Sequence, residues 1–317
     1  MAEEITILSW YEIDADTRKQ LEAFHPNLRV HHAPTVEDLE PWIAEADIVL
    51  HGRFSDDLLR RAAKLRWYQS VSAGVDKLLT EDFISSDVLL TNASGNHPIS
   101  VSEHAFALLL AMTRRIINSY GENNLLDTWQ RRECVELYGK TLGVLGMGNV
   151  GREIARKGFA FGMKVRGYDP RPAFLPYLKE MYLSGQIEAF FSGLDVLIVA
   201  AASTPETKGI VNGHLISLMN KGSYLVNIAR GPLVVEEALI EALEQGPLAG
   251  AGLDVFDQEP LPADSMLRSL PNVALTPHLA GQTPRYRERV LTVFVENFRR
   301  WVQGESLINV VDKHLGF

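Results

Sequence analysis

Three side chains that could carry acid–base chemistry follow apolar runs in the second half of the chain: Arg230, Glu259 and His278. An arginine guanidinium holds a carboxylate through two parallel hydrogen bonds and stays charged. A histidine titrates near neutral pH and can donate a proton, and a neighbouring carboxylate fixes its tautomer and favours its charged form. Together these groups suit protonation of a carbonyl oxygen in a substrate that carries a carboxylate.

Taken singly, each of these residues also fits an ordinary structural role. Arg230 fits an exposed loop charge, Glu259 a solvated turn residue, and His278 a helix cap. The remaining histidines show no spacing typical of metal ligands, so we expect no metal site. Among them, His104 falls in an apolar stretch, where we expect it to be packed and hydrogen-bonded.

A glycine-rich turn is the second chemical signal. Residues 142–151 (LGVLGMGNVG) run from an apolar strand through G-x-G-x-x-G into a predicted helix. In a dinucleotide-binding turn, the first glycine permits the tight turn, the second leaves room for a pyrophosphate, and the third lets the helix pack on the strand. The helix N-terminus then offers N–H groups to the phosphates. The predicted cofactor-binding residues are Gly146, Gly148, Asn149, Val150 and Gly151.

An acidic residue ends the next predicted strand, as this kind of site requires. Asp169 lies 18 residues beyond Gly151, about where a ribose-binding carboxylate belongs. A carboxylate there accepts hydrogen bonds from the ribose hydroxyls and repels a 2′-phosphate, which favours NAD over NADP. Arg171 lies two residues further on, so NADP stays possible.

Apolar runs that alternate with amphipathic stretches predict the scaffold for these residues. Such alternation is typical of parallel sheets covered by helices on both faces. The predicted strands are residues 5–10, 28–32, 47–51, 67–71 and 88–91, and then 141–145, 164–168, 196–200, 224–228, 250–255 and 273–276. Ligands bind beyond the carboxyl ends of such strands. The polar residues expected to converge there are Gly146, Asp169, Ser203, Thr204, Arg230, Asp254 and His278.

Two longer segments connect these series. A helix is predicted over 100–120, with Ser100 as its cap and Glu103 at the spacing of a capping box. The polar stretch 118–139 has little periodicity and is predicted to be an arm or linker. A helix over 284–303 follows the last strand of the second series and is expected to return to the first domain.

Composition excludes several classes of protein. The 317 residues suffice for two domains with their own cores. A net charge of −9, from 31 basic and 40 acidic residues, argues against a nucleic-acid binder. The single cysteine, Cys134, excludes an internal disulfide and favours a reducing compartment. Without a signal peptide or long apolar span, we expect a cytoplasmic protein that binds no membrane.

In order and spacing, these motifs resemble the D-isomer-specific 2-hydroxyacid dehydrogenases, which include phosphoglycerate dehydrogenase and hydroxypyruvate/glyoxylate reductases. The resemblance covers almost the whole chain. It rests on residues 72–76 (SAGVD), 101–104 (VSEH), 139–151, 227–231 (NIARG), 252–256 (GLDVF) with Glu259, and 276–281 (TPHLAG).

The resemblance implies a fold and a set of roles. The fold would be α/β, with a flavodoxin-like substrate domain (1–98 plus 287–317) and a Rossmann NAD-binding domain (99–286), commonly in a homodimer. Arg230 would hold the substrate, and His278 would be the acid–base with Glu259 as its partner. Further cofactor contacts would come from Thr207, Ala229, Asp254 and Gly281. Further substrate contacts would come from Ser72, Ala73, Gly74 and Val75.

The implied activity is that of an NAD-dependent D-2-hydroxyacid dehydrogenase, an oxidoreductase that acts as a reductase of small 2-keto acids in reverse. Since the chain stops at Phe317, we expect the form without a regulatory domain. Residues 200–204 (AAAST) depart from the family pattern, which leaves the contacts of Ser203 and Thr204 open. The alternative is a cofactor-sensing, corepressor-like binding protein on the same scaffold, since such relatives retain the Arg/Glu/His set.

Overall fold

The computed structural model of the chain describes residues 3–117, 129 and 131–316. The chain divides into two compact units, the first formed by Met1–Asn96 with Thr283–Phe317 and the second by His97–Gln282. Each unit is built on one sheet whose strands run parallel. Two parallel α/β sheets confirm the predicted fold class.

The strands and helices alternate through most of the described chain. The strands are β1 Ile5–Ser9, β2 Leu28–His32, β3 Ile48–His51, β4 Trp67–Ser70, β5 Leu89–Thr91, β6 Thr141–Leu145, β7 Lys164–Tyr168, β8 Glu180–Tyr182, β9 Val196–Val199, β10 Ser223–Asn227, β11 Leu248–Leu253 and β12 Val273–Leu275. The helices are α1 Ala15–Phe24, α2 Val36–Leu39, α3 Asp56–Arg61, α4 Glu81–Ser85, α5 Pro98–Thr113, α6 Asn149–Ala160, α7 Ile187–Phe191, α8 Gly213–Ser217, α9 Glu236–Glu244 and α10 Tyr286–Gln303.

The first unit has the strand order β2-β1-β3-β4-β5, the order of flavodoxin-like sheets. Apolar side chains cover both of its faces. Leu39, Leu58 and Phe83 belong to the core cluster on one side. On the other side, Phe294 of α10 is fully buried and stacks on Trp67 with ring centroids 5.3 Å apart. Burying such a side chain stabilises a fold by about 1.5–3 kcal/mol, so α10 is part of this core.

The second unit has the strand order β12-β11-β10-β9-β6-β7-β8. The first strand along the chain, β6, lies inside the sheet, and the order reverses between β6 and β9. Such a reversal opens a crevice at the carboxyl ends of the two strands, where doubly wound proteins bind ligands. The edge strand β8 was not predicted from the sequence, because its three half-exposed residues carry too short a pattern.

The predicted start of the long helix α5 is wrong. The helix begins at Pro98 with His97 as N-cap, and Ser100 lies inside its first turn with its hydroxyl donating to the His97 carbonyl. Proline is favoured in the first turn because its missing N–H has no partner there in any case. The helix ends at Thr113. Residues 118–128 and 130 of the predicted helix end and arm lie outside the described residues.

Neither a membrane span nor a metal cluster is found in the described part of the chain. Every described helix is too short or too polar to cross a bilayer. The same residues contain no group of three His, Cys, Asp or Glu side chains suited to hold a metal ion.

Candidate active site

The carboxyl ends of the second sheet bring most of the sequence-predicted residues into one row. Neighbouring strands of a sheet lie about 4.8 Å apart, so the ends of β10, β11 and β12 span about 10 Å. In the order of the strands across the sheet, the residues that follow them are His278, Asp254, Arg230, Ser203, Gly146 and Asp169.

His278 and Glu259 form a hydrogen-bonded pair. His278 Nδ1 lies 2.9 Å from Glu259 Oε2, and the other carboxylate oxygen, Oε1, accepts the N–H of Phe256 at 3.1 Å. Both side chains remain partly exposed, at 47% for His278 and 34% for Glu259. A carboxylate at Nδ1 favours the tautomer with its proton there. Nε2 is then the ring atom left to exchange a proton with a substrate.

Arg230 lies on a turn that a buried asparagine shapes. Asn227, 1% exposed, accepts the N–H of Ala229 at 3.1 Å and donates to the Arg230 carbonyl at 2.9 Å. The guanidinium donates to the Ala229 carbonyl at 2.8 Å. A Cβ on Gly231 would lie 1.9 Å from the Phe256 carbonyl carbon, so the turn packs directly on the segment that leads to Glu259.

The role of Asn227 was not predicted, although the sequence contains a pattern that indicates it. Asn227 is the polar last residue of β10 (SYLVN), a strand that is buried throughout and apolar at its three central positions. A buried amide that ends such a strand must find backbone partners, because an unpaired buried polar group costs about 1–3 kcal/mol.

Asp254 is completely buried at the end of β11. Its Oδ1 accepts the Thr276 hydroxyl at 2.6 Å and the Leu279 N–H at 2.8 Å, and its Oδ2 accepts the Ala280 N–H at 2.9 Å. The carboxylate is thus held mainly by the segment that carries His278. Its predicted contact with a cofactor would use the remaining acceptor capacity of Oδ2.

The glycine turn has the shape that a bound pyrophosphate needs. Gly146 has φ +95°, and a Cβ there would lie 2.5 Å from the Ala201 backbone. A Cβ on Gly151 would lie 1.8 Å from the Gly146 carbonyl oxygen, so only glycine allows this approach of α6 to the turn. Around Gly148, by contrast, no heavy atom of the described chain beyond its neighbours lies within 4 Å of a Cβ position. This open space lies at the N-terminus of α6, where Asn149 and Val150 form the first turn.

Asp169 extends this cradle from the end of β7. Its Oδ2 accepts the N–H of Met147 and its Oδ1 that of Arg171, both at 2.9 Å. The Arg171 guanidinium lies 3.6 Å from the same Oδ1. The carboxylate is therefore fixed beside the glycine turn, with the Arg171 cation next to it. The negative charge favours NAD and the positive charge favours NADP, so both cofactors stay possible.

The loop after β9 is organised by Thr207. Its hydroxyl accepts the Thr204 N–H at 2.8 Å and lies 2.7 Å from the Ala202 carbonyl oxygen. These bonds show Thr207 shaping its own loop, and Ser203 and Thr204 are half-buried on the same turn. Gly281, another predicted cofactor contact, follows Ala280 and packs against the His97 ring, 3.4 Å from a Cβ position.

The predicted substrate loop, Ser72–Val75, follows β4 in the first unit. Ser70 Oγ accepts the Ser72 N–H at 3.1 Å, and Asn92 donates to the Ala73 carbonyl at 2.8 Å. Among the described residues, the N–H groups of Gly74 and Val75 donate to no protein acceptor. Two adjacent amides in this state are suited to bind a carboxylate.

Two tyrosines at this end of the first sheet are electrostatically perturbed. Tyr286 of α10 donates its hydroxyl to the Val71 carbonyl, next to the substrate loop. Burial, with Tyr11 nearby, raises the pKa of Tyr286 to about 12. Burial also raises the pKa of Tyr11, and the cation of Arg287 opposes this shift. Both hydroxyls are therefore neutral at physiological pH, and Tyr286 was not among the residues predicted from the sequence.

A known protein family matches most of the second unit. Residues 106–280 match the family described as D-isomer specific 2-hydroxyacid dehydrogenase, NAD binding domain. The chain is similar to a D-3-phosphoglycerate dehydrogenase of Methanocaldococcus jannaschii, at 34% identity over 88% of this chain and 54% of that protein. It is similar to a glyoxylate reductase of Aeropyrum pernix, at 33% identity over 90% of this chain and 88% of that protein.

The similarity extends to three-dimensional structure. The chain resembles a D-isomer specific 2-hydroxyacid dehydrogenase from Xanthobacter autotrophicus Py2, solved with NADPH and MES, with a TM-score of 0.86 and 30% identity over the full length of both chains. The chain spans only about half the length of the curated phosphoglycerate dehydrogenases that it matches. The length of the chain is comparable with that of the Aeropyrum pernix glyoxylate reductase.

Proposed function

The chain belongs to the D-isomer specific 2-hydroxyacid dehydrogenase family, and we propose that it is an NAD(H)-dependent reductase of small 2-keto acids, working in reverse as a D-2-hydroxyacid dehydrogenase. The observation that carries this proposal is the His278–Glu259 pair, 2.9 Å apart and partly exposed. It lies in the same row of strand ends as Arg230 and the glycine turn.

In this proposal His278 is the proton donor. Its Nε2 gives a proton to the carbonyl oxygen of the substrate as the oxygen becomes an alkoxide, and takes one back in the reverse direction. Glu259 holds the imidazole by Nδ1 and balances its charge when both nitrogens are protonated. Arg230 binds the carboxylate and carbonyl oxygens of the substrate, which orients the carbonyl toward His278.

The glycine turn supports the cofactor assignment. The bound nicotinamide cofactor would supply a hydride to the carbonyl carbon of the substrate. Gly146, Gly148 and Gly151, with the N-terminus of α6, would hold its pyrophosphate, and Asp169 would hold its adenosine ribose. Thr207, Ala229, Asp254 and Gly281 remain proposed as further cofactor contacts.

We propose that the amides of Gly74 and Val75, with Ser72 and Ala73 beside them, bind the substrate carboxylate, since these amides lack protein acceptors in the described chain. A homodimer in the cytoplasm is the proposed setting, and the single cysteine agrees with a reducing compartment.

A panel of keto acids tests the reaction. Glyoxylate, hydroxypyruvate, pyruvate and longer 2-keto acids are each supplied with NADH and, separately, with NADPH, and loss of absorbance at the reduced nicotinamide band is followed. We expect turnover of at least one small keto acid, with kcat within the range of about 1–10³ s⁻¹ usual for enzymes. The product should be the D-hydroxy acid on chiral chromatography.

Failure of the whole panel would favour the corepressor-like reading instead. In that case NADH should still bind, with a change in its fluorescence, while every keto acid remains unreduced. Binding without turnover would make the chain a sensor of the cofactor, and neither binding nor turnover would reject both candidates.

Asp169 gives a separate prediction about cofactor choice. Asp169→Asn removes the negative charge while keeping the side-chain shape, so a 2′-phosphate is no longer repelled and the ribose bond weakens. A hydrogen bond to a charged group is worth about 1.5–3 kcal/mol, so the ratio of kcat/KM with NADH to that with NADPH should fall at least about tenfold. Asp264→Asn, on an exposed loop of the same unit, is the matched control. An unchanged ratio in Asp169→Asn would reject the ribose assignment.

A further inference from the structure

Helix α5 lies directly over β11 because two glycines of that strand leave room for it. A Cβ on Gly252 would lie 2.8 Å from Leu108 Cβ, and one on Gly250 would lie 3.2 Å from Met112 Sδ. Two strand residues span about 6.6 Å and four helical residues about 6 Å, so the two elements stay in step. One step further along the same alignment brings His104 to Asp254, which follows β11.

The contact that results is a hydrogen-bonded chain of three side chains. His104 Nε2 lies 2.8 Å from Thr276 Oγ1 and 3.3 Å from Asp254 Oδ1. The Thr276 hydroxyl donates its only proton to Asp254 Oδ1 at 2.6 Å, so toward His104 it can only accept. His104 is therefore the donor, with its proton on Nε2.

At its other end, this series of hydrogen bonds reaches the backbone that carries His278, the proposed acid–base. Asp254 accepts the N–H groups of Leu279 and Ala280 through its carboxylate, and that of His278 through its carbonyl at 2.9 Å. His278 has φ +53°, in the left-handed region that costs a non-glycine residue about 1–2 kcal/mol. Such a conformation persists only where its surroundings hold it.

We propose that His104 is a positioning residue for the reaction. By donating to Thr276 it holds the Thr276 hydroxyl on Asp254, and Asp254 in turn fixes the turn on which His278 lies. Over the described residues, the bonds of the His104 imidazole are to Thr276 and Asp254, so its effect on His278 is transmitted through them. The catalytic consequence rests on the function proposed above, but the structural claim about the turn does not.

Paired substitutions at both donors test the proposal. His104→Phe and Thr276→Val remove the hydrogen bonds and keep much of the volume, whereas His104→Gln and Thr276→Ser retain a donor. Misplacing a catalytic group by about 1 Å can cost about a hundredfold in rate, so the first two variants should lose about ten- to a hundredfold in kcat. NADH affinity, read by fluorescence, and the KM for the keto acid should change little. The two conservative variants should recover most of the loss.

Amide hydrogen exchange provides a readout that needs no turnover. Exchange at Leu279 and Ala280 should accelerate about tenfold or more in His104→Phe, while the melting temperature and the exchange of β6 amides stay near those of the wild type. His214→Phe, an exposed histidine of the same unit, is the control and should change neither rate nor exchange.

The outcomes separate this proposal from the proposed function. If the wild type reduces no keto acid but exchange at Leu279 and Ala280 responds to His104→Phe, the positioning role stands and the reaction fails. Wild-type kcat with unchanged exchange in His104→Phe would overturn the positioning role. A general loss of stability that His104→Gln does not repair would overturn it as well, because it would indicate packing alone.

Discussion

Replacing His278 by alanine is expected to lower kcat by about 10²–10⁴, the usual contribution of a positioned general acid. The variant removes the proton donor and leaves Arg230, the glycine turn and the fold in place. NADH should therefore still bind, with a dissociation constant close to that of the wild type. Steady-state turnover of the keto acid that the panel identifies, together with a fluorescence titration of NADH, measures both quantities.

The second unit offers a matched control for this variant. His214 forms a pair with Glu188 at 2.8 Å, almost the same distance as in the His278–Glu259 pair, but it lies on α8 and away from the row of strand ends. His214→Ala should therefore keep wild-type turnover. Wild-type turnover in His278→Ala would reject the acid–base assignment. A loss of NADH binding along with turnover would point to a damaged loop instead, and melting temperatures would reveal that.

The strands were the most predictable part of the fold, for a simple reason. A strand buried on both faces of a parallel sheet is a short continuous apolar run, and its length of four to eight residues and the turn residues around it distinguish it from a buried helix. The bounds of β6, which is buried over most of its length, agree with the prediction residue by residue. Those of β2 and β7 agree as well, although both strands are partly exposed. The polar residues that follow such runs are then restricted to one edge, so the glycine turn, Asp169, Arg230 and His278 could all be assigned to one row.

The helices and helix ends that were not predicted from the sequence are those that depend on tertiary contacts. The short helices α4 and α7 have five residues each, too few to show a periodicity. The start of α5 depends on whether Pro98 or Ser100 takes the first turn, and local preferences allow both.

The support of the site was less predictable than its chemistry. His104 bonds to Thr276, which is 172 positions away in the chain, so only folding brings the two together. Asn227 bonds to its own neighbours Ala229 and Arg230, but that role depends on its burial. The sequence indicates which groups can react because reactivity depends on residue type. The packing that orients those groups depends on distances that no spacing rule provides.

Replacing Arg230 is expected to weaken the interaction of the protein with its keto acid substrate. Arg230→Gln should lower kcat/KM for the keto acid by about a hundredfold or more, since two charge-assisted hydrogen bonds to a carboxylate together contribute about 3 kcal/mol or more. Arg230→Lys keeps the charge but lacks the planar fork, so it should recover only part of the loss. Arg268→Gln, an exposed arginine that ends the short 3-10 helix Met266–Arg268 of the same unit, is the control and should behave as the wild type.

A change of substrate separates binding of the carboxylate from a structural effect of Arg230. The wild type should prefer a 2-keto acid strongly over the matching 2-keto amide, which has no charge for the guanidinium to hold. In Arg230→Gln this preference should fall about tenfold or more, because the lost hydrogen bonds to the charged carboxylate concern only the acid, while the amides of Gly74 and Val75 would still favour it. If Arg230 instead served to shape the turn that Asn227 braces, both substrates would lose the same factor and the preference would persist. Since the preference is a ratio measured on one variant, partial unfolding cancels from it, and only a direct interaction with the carboxylate can change it.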